Sequence, residues 1–248
     1  MQYGICPLSI VPVRAEPSDT SEMVSQILYG ELLKVLTPQK KWSKIRQVLD
    51  GYEGWIDTKQ YLRITETQYN ELQDSVAHFS LSPCETITTN QGALYIVPGS
   101  QVSNASFLEH NYTDALPPNR QPKSSLIDMA MHFLNSPYLW GGKTHFGIDC
   151  SGFTQIVYRC CGHRIDRDAS QQVQHGEMLS FIEESEPGDL AFFDNSEGNI
   201  IHVGILLEGN RIIHAHGKVR IDRLDHTGIF NPELGQYSHQ LRVIKKII

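Results

Sequence analysis

The order in which two apolar periodicities follow one another constrains this chain more than any single motif does. From residue 121 to 162 apolar positions recur with helical spacing, and beyond Pro187-Gly188 the apolar runs read as strands. SSLIDMAMHFLNSP carries Leu126, Ile127, Ala130, Met131 and Leu134 on one stripe. Ser125 followed by Asp128 gives a capping-box pattern, and Asn135-Ser136-Pro137 ends the helix. A second helix is expected to start at Asp149 or Cys150, run through GFTQIVYRCCG and stop at Gly162. Then DLAFFD reads as a strand, and IIHVGILLEGNRIIHAHG reads as two arms turned by Glu208-Gly209-Asn210. Helices first and an antiparallel sheet afterwards define an α+β domain over residues 119–248. The basic tail RVIKK alternates like an edge strand.

Upstream the texture differs. Residues 1–65 break into about five short strands, with turns at Pro-Ser-Asp, Tyr29-Gly30 and Asp50-Gly51, which suggests a small β-barrel. Residues 66–118 read as a polar linker helix (ETQYNELQDSVAHF) and a short unit with the strands ITT and ALYIV. A length of 248 residues suits a main domain with smaller companions. The net charge of -7, without a basic patch, argues against a general nucleic-acid binder. No apolar run reaches 18 residues, so no membrane insertion is expected. The N-terminus shows no basic leader followed by an apolar core, and the five cysteines (6, 84, 150, 160 and 161) have no paired spacing. A reducing, cytoplasmic location is the expectation, with an exported form whose leader has been removed as the alternative.

The stretch YLWGGKTHFGIDCSGF holds the first suspect for chemistry. Cys150 lies between Asp149 and Ser151 at an expected helix start, where the first-turn N–H groups favour a thiolate. A nucleophile needs a base within hydrogen-bond reach, and that base needs a group to orient it. His202 and His214 sit 12 residues apart on the two arms of the hairpin. A turn centred near 208–209 places them close to opposite each other on one face. His216 returns to the same face and competes with His214. Alternatively, Cys150 is a small core residue, or Cys150, His202 and His214 hold zinc. No Cys-x2-Cys or His-Glu-x-x-His spacing supports zinc, so no metal or cofactor is expected. Cys160 and Cys161 read as packing residues, and the remaining histidines, His239 among them, as solvated or packed.

YLWGG and DCSGF, then GDLAFF, then HVGI and IHA occur in an order that resembles the NlpC/P60 family of papain-like cysteine peptidases. The resemblance implies a papain-like catalytic domain with Cys150 as nucleophile, His202 as base and His214 as its orienting partner. It also implies that Tyr138 lines the oxyanion region beside the Cys150 N–H. VRAEPS and DGYEGW resemble a bacterial SH3 (SH3b) domain at 1–65, with a reduced second SH3b-like unit within 66–118. SH3b units ahead of such a domain are similar to the γ-D-glutamyl-L-diamino acid endopeptidases of the dipeptidyl-peptidase VI type. That resemblance implies a murein tripeptide or tetrapeptide substrate, L-Ala-γ-D-Glu-diamino acid with a free N-terminus. Glu16 and Tyr52 would read the ammonium, and Asp149, Ser151 and Asp168 would supply further substrate contacts. The rival readings are an N-acetylmuramoyl-L-alanine amidase on the same fold and a non-catalytic SH3b protein that binds cell wall or protein.

Overall fold

The short alternating runs at the N-terminus become the strands of one antiparallel sheet. The computed structural model describes residues 2–248. Strands β1 (Gln2–Ile5), β2 (Ile10–Arg14), β3 (Met23–Leu28), β4 (Leu32–Pro38), β5 (Trp42–Gln47), β6 (Glu53–Asp57) and β7 (Leu62–Ile64) pair in the order β3-β2-β6-β5-β4-β1-β7. Val11 and Val13 are buried between half-buried neighbours and, with Leu33, Val35, Ile45 and Ile56, belong to the apolar core of this sheet. The Tyr29-Gly30 turn requires its glycine: φ is +76°, and a Cβ would lie 2.1 Å from the Gln101 carbonyl oxygen. Helix α1 (Glu66–Asp74) starts at Thr65, which forms a capping box with Gln68. Strands β8 (Glu85–Thr89) and β9 (Gly92–Ile96) make a separate two-stranded sheet. Ile87, Ile96, Val102 and Leu108 from this region share one apolar cluster with Tyr3, Tyr29 and Tyr69. Accordingly the first compact unit runs to Arg120, together with Trp140–Gly142.

The second unit comprises Gln121–Leu139 and Lys143–Ile248. It opens with α2 (Ser125–His132), the short strands β10 (Lys143–Thr144) and β11 (Gly147–Ile148), then α3 (Cys150–Cys160) and α4 (Ala169–Gln172). Seven strands follow: β12 (Glu177–Leu179), β13 (Leu190–Asp194), β14 (Ile200–Leu207), β15 (Arg211–His216), β16 (Lys218–Leu224), β17 (Gly228–Asn231) and β18 (Gln236–Lys246). Their order is β12-β18-β13-β14-β15-β16-β17, and a further β17–β18 pairing returns the sheet on itself. The C-terminal tail is therefore not an edge strand, since β18 bonds to β12, β13 and β17. Alternation shows that a strand has two unlike faces but is silent on how many neighbours it has.

The stripe expected on α2 also shifts. Leu126, Met129, Ala130 and Phe133 are buried, while Met131 and Leu134 are exposed. The segment is apolar on both sides, so two helical stripes fit the spacing and packing selects one. Ser124, not Ser125, precedes the helix, and its side chain makes no capping hydrogen bond. Helix α3 does start at Cys150, and Gly162 follows its end with φ +83°. All of its residues are buried, which makes it the central helix of the unit. Phe133 meets Phe153 edge to face at 5.9 Å, and Tyr158 donates to the Gly188 carbonyl at 2.5 Å. A fully buried side chain the size of Phe153 contributes about 3–5 kcal/mol in such a core.

Candidate active site

The first turn of α3 is held by a buried ion pair. The Asp149 carboxylate accepts from the Gly152 N–H at 2.7 Å and caps the helix. Arg167, only 1 % exposed, donates from Nη1 to Asp149 Oδ1 at 3.0 Å and from Nη2 to Oδ2 at 2.5 Å. Its Nη1 also donates to Ser151 Oγ at 2.9 Å. Removing one partner from a buried pair of this kind costs about 3–5 kcal/mol, because the other charge stays behind unpaired. Asp149 and Ser151 thus have polar atoms engaged in fixing the turn that carries Cys150. Asp168 precedes α4, where its N–H donates to Gln171 Oε1 at 3.1 Å. Its neighbour Arg167, which sequence reading passed over, is the residue that reaches under the nucleophile.

Cys150 is 7 % exposed. Burial, aided by the Asp149 charge, pushes its thiol up to about 12, against the main chain of Val203, the Arg167 charge and the Ser151 main chain. The helix start favours a thiolate, and burial acts in the opposite direction. The hydrogen bond from the Val203 main chain sets the sulfur against β14, one residue from His202. Tyr138 is electrically linked to the same place. Its hydroxyl is raised to about 12, first by burial and then by the charges of Cys150 and Asp149.

From His202 a line of hydrogen bonds runs inward. His202 Nε2 lies 2.8 Å from His214 Nδ1, and His214 Nε2 lies 3.0 Å from Asp222 Oδ2. Arg220 donates from Nε to Asp222 Oδ2 at 2.8 Å and from Nη2 to Oδ1 at 3.0 Å. A carboxylate only accepts, so with neutral rings His214 Nε2 donates to Asp222 and His214 Nδ1 accepts from His202 Nε2. His202 Nδ1 is left with a lone pair, ready to take a proton. Burial holds His202 well below the ordinary histidine value, and the neighbouring His214 and His239 add to this. Burial lowers His214 as well, outweighing the pull of Asp222 in the other direction. For Asp222, burial acts upward, but the bonds from His214 and Arg220 prevail and hold the carboxyl below its usual range.

The register explains why the two imidazoles can meet. Residues Ile205↔Ile213 and Leu207↔Arg211 pair across β14 and β15, which centres the turn on Gly209. His214 is therefore level with Gly204, and His202 lies two residues farther along the same face. A Cβ on Gly204 would stand 2.8 Å from His214 Cβ, so the glycine leaves the space His214 occupies as it leans toward His202. On the other side His214 pairs with Arg220 and Ile212 with Asp222, which puts Asp222 diagonally beside the ring. Of the two candidates on this strand, His214 makes these bonds and His216 is exposed. Arg220 and Asp222 were missed, although two opposite charges spaced by two in the strand KVRIDRL share a face.

His239, on β18, is not simply solvated or packed, as the sequence suggests. Its ring stacks on His202 with centroids 4.1 Å apart and 20° between the planes. One nitrogen from each of His202, His214 and His239 falls within 4.8 Å of the others, so these three could hold a metal ion. Glu16 and Tyr52 lie on the first unit. Glu16 is exposed just beyond β2, its N–H bonded to Ser21 Oγ at 2.9 Å, and Tyr52 is half-buried just before β6. Arg14, the last residue of β2, pairs with Trp55 on β6, so the segments that carry Glu16 and Tyr52 flank neighbouring strands.

Residues 135–236 match the NlpC/P60 family, and residues 13–60 match the bacterial dipeptidyl-peptidase SH3 domain. The "Gamma-D-glutamyl-L-lysine dipeptidyl-peptidase" of Bacillus subtilis (strain 168) is 29% identical over 212 residues, which span 77% of this chain and 71% of that one. The "Probable endopeptidase NlpC" of Escherichia coli (strain K12) is 37% identical over 112 residues, 41% of this chain and 70% of that one. In fold the chain is similar to an NlpC/P60 family protein from Bacillus cereus, with a TM-score of 0.77, 19% identity and 99% of each chain covered.

Proposed function

The chain belongs to the NlpC/P60 family of cysteine peptidases, and from that premise we propose that it cleaves the γ-D-glutamyl bond to a diamino acid in peptidoglycan-derived peptides with a free N-terminal L-Ala. The observation that carries this reading is the hydrogen-bonded line from His202 through His214 to Asp222, with Cys150 bonded to the main chain of Val203, the residue next to His202. The names of the B. subtilis relative and of the SH3 domain support the bond and the substrate class.

In this mechanism the Cys150 thiol passes its proton to His202 Nδ1 as the sulfur attacks the γ-glutamyl carbonyl carbon. Transfer and attack are coupled in this reading, because burial disfavours a thiolate formed in advance. The developing imidazolium is stabilised through His214 by the Asp222 carboxylate. First-turn N–H groups of α3 have no acceptor within the helix, which makes the Cys150 N–H a donor for the oxyanion, with Tyr138 beside it. The carbon–nitrogen bond then breaks, and the diamino acid leaves with the proton from His202. Water attacks the thioester with His202 as base, releasing L-Ala-D-Glu and restoring the thiol. Recognition of the substrate's ammonium is assigned in this reading to Glu16 and Tyr52. A carboxylate left without that charge by an acylated amine rejects the wrong substrate far better than shape does. Such a requirement suits released peptides undergoing recycling rather than stems still attached to glycan.

The test is mass-spectrometric. L-Ala-γ-D-Glu-L-Lys and its meso-diaminopimelate analogue, each free and N-acetylated, are incubated with the protein and with Cys150→Ala. Cleavage of the free peptides alone, lost in the variant, is the expected result. Cleavage of both forms alike would remove the role given to Glu16 and Tyr52, and N-acetylmuramoyl-L-alanine hydrolysis in its place would overturn the reading.

A further inference from the structure

The second unit holds more histidine around its nucleophile than proton transfer requires. His202 and His214 account for the relay, yet His239 is stacked on His202 and lies with its ring 5.9 Å from His214. We propose that His202, His214 and His239 form a binding site for a borderline divalent cation of the zinc type, and that its occupation switches off the peptidase.

Three features carry the proposal. The first is distance: one nitrogen from each ring lies within 4.8 Å of the others. Zinc held tetrahedrally at its usual 2.0–2.1 Å from imidazole needs nitrogens about 3.3 Å apart. The 2.8 Å contact between His202 Nε2 and His214 Nδ1 must open slightly, and the His239 nitrogen must move inward by up to about 1.5 Å. The second feature is support from outside the site. Metal-binding imidazoles characteristically engage an oxygen through their other nitrogen, which fixes the ring and its tautomer. His214 does so through Nε2 and Asp222, and His239 through Nδ1, 2.9 Å from Ser238 Oγ. Each therefore has one nitrogen already committed and the other to offer. The third is the freedom to close. His202 and His214 are buried, whereas His239 is half-buried, so it is the ring with room to swing. A swing is needed, because a cation lies in the plane of each imidazole and stacked planes do not converge on one point.

The effect on catalysis follows from the tautomers and rests on the peptidase reading above. In the relay His202 Nε2 carries a proton and Nδ1 is bare. A cation on Nε2 moves that proton to Nδ1, the nitrogen that must accept from the thiol, and it also breaks the bond to His214. The base is lost without any change at Cys150. That separates this site from the more familiar capture of zinc by a catalytic thiol.

The binding test uses Cys150→Ala, so it needs no turnover and no sulfur ligand, and a failure of the peptidase reading leaves it unaffected. Co2+ is titrated and followed by its visible absorption, then displaced with Zn2+. The expected result is one tetrahedral Co2+ per chain without a sulfur charge-transfer band, and at least about tenfold weaker binding when His239→Gln is added. In parallel, imidazole nitrogen resonances of the Cys150→Ala chain should shift for His202, His214 and His239 together at one equivalent of Zn2+, which needs no further substitution. No bound cation in Cys150→Ala, or unchanged affinity in the His239→Gln variant, overturns the site. With Cys150 present, Zn2+ should inhibit at the concentrations at which it binds, with recovery on adding EDTA. Undiminished turnover at saturating Zn2+ overturns the switch.

Discussion

Cys150 and the Cys160–Cys161 pair stand at opposite ends of α3, and by burial they are hard to tell apart. Their exposures are 7 %, 2 % and 1 %, and burial raises Cys150 to about 12 and Cys161 to about 11. At both ends burial disfavours the thiolate. What separates them is the company each keeps. At Cys150 the sulfur meets the Val203 main chain on the strand that carries His202, and the Asp149–Arg167 pair anchors the turn beneath it. At Cys161 the charge that acts on the thiol is Asp128, which opposes ionisation. A nucleophile here is defined by where its proton can go, not by a thiol that is acidic in isolation.

The broadest way to break this comparison is to remove each sulfur in turn. Cys150→Ala should lower turnover of the free peptide at least about 10,000-fold, because residues that act as a unit fail together. Cys161→Ala should cost about 1 kcal/mol of stability and leave turnover close to its starting level. Comparable losses at both ends, measured as kcat alongside denaturant midpoints, would show that α3 packing and not the relay had been damaged. This pairing also marks what was legible in the sequence. Cys150 announced itself because polar neighbours and a helix start are local signals, and His202 and His214 because a hairpin fixes register across a few residues. Arg167 and His239 gave no such signal, since their partners come from other elements. The C-terminal tail misled for the same reason: alternation identified β18 but not its three neighbours.

A narrower change leaves every ring and both ends of α3 in place. Asp222→Asn keeps the volume but presents an amide that can donate to His214 Nε2, which reverses the direction of the relay and puts a proton on His202 Nδ1. The expected loss is about 100- to 10,000-fold in kcat with little change in KM. Asp222 also accepts twice from Arg220, so Arg220→Gln serves as the control for that contact alone. If Asp222→Asn moved KM and left kcat intact, the carboxylate would belong to substrate binding, and the chain of tautomers drawn from Cys150 would end at His214.

The smallest effect concerns the proton balance of the same region. Burial depresses His202 well below 6.5 and lowers His214, so both rings are neutral in the folded chain at pH values where the unfolded chain binds protons. The sign follows from linkage. Above pH 6.5 neither state is protonated at these rings and their contribution is flat. As the pH falls below 6.5 the unfolded state takes up protons that the folded state refuses, and stability is lost until the folded pKa is reached. Each buried histidine can contribute up to about 1.4 kcal/mol per pH unit in that window. Denaturation midpoints between pH 7 and pH 5, with EDTA present to keep metal off the imidazoles, should therefore decline on the acid side. His202→Gln should make the decline shallower by its own share while that of His214 stays, whereas Cys161→Ala should shift the curve without changing its slope. A slope left unchanged by His202→Gln would mean that His202 already carries its proton in the folded chain, as in a thiolate–imidazolium pair, and the coupled transfer assigned to Cys150 would give way to attack by a preformed thiolate.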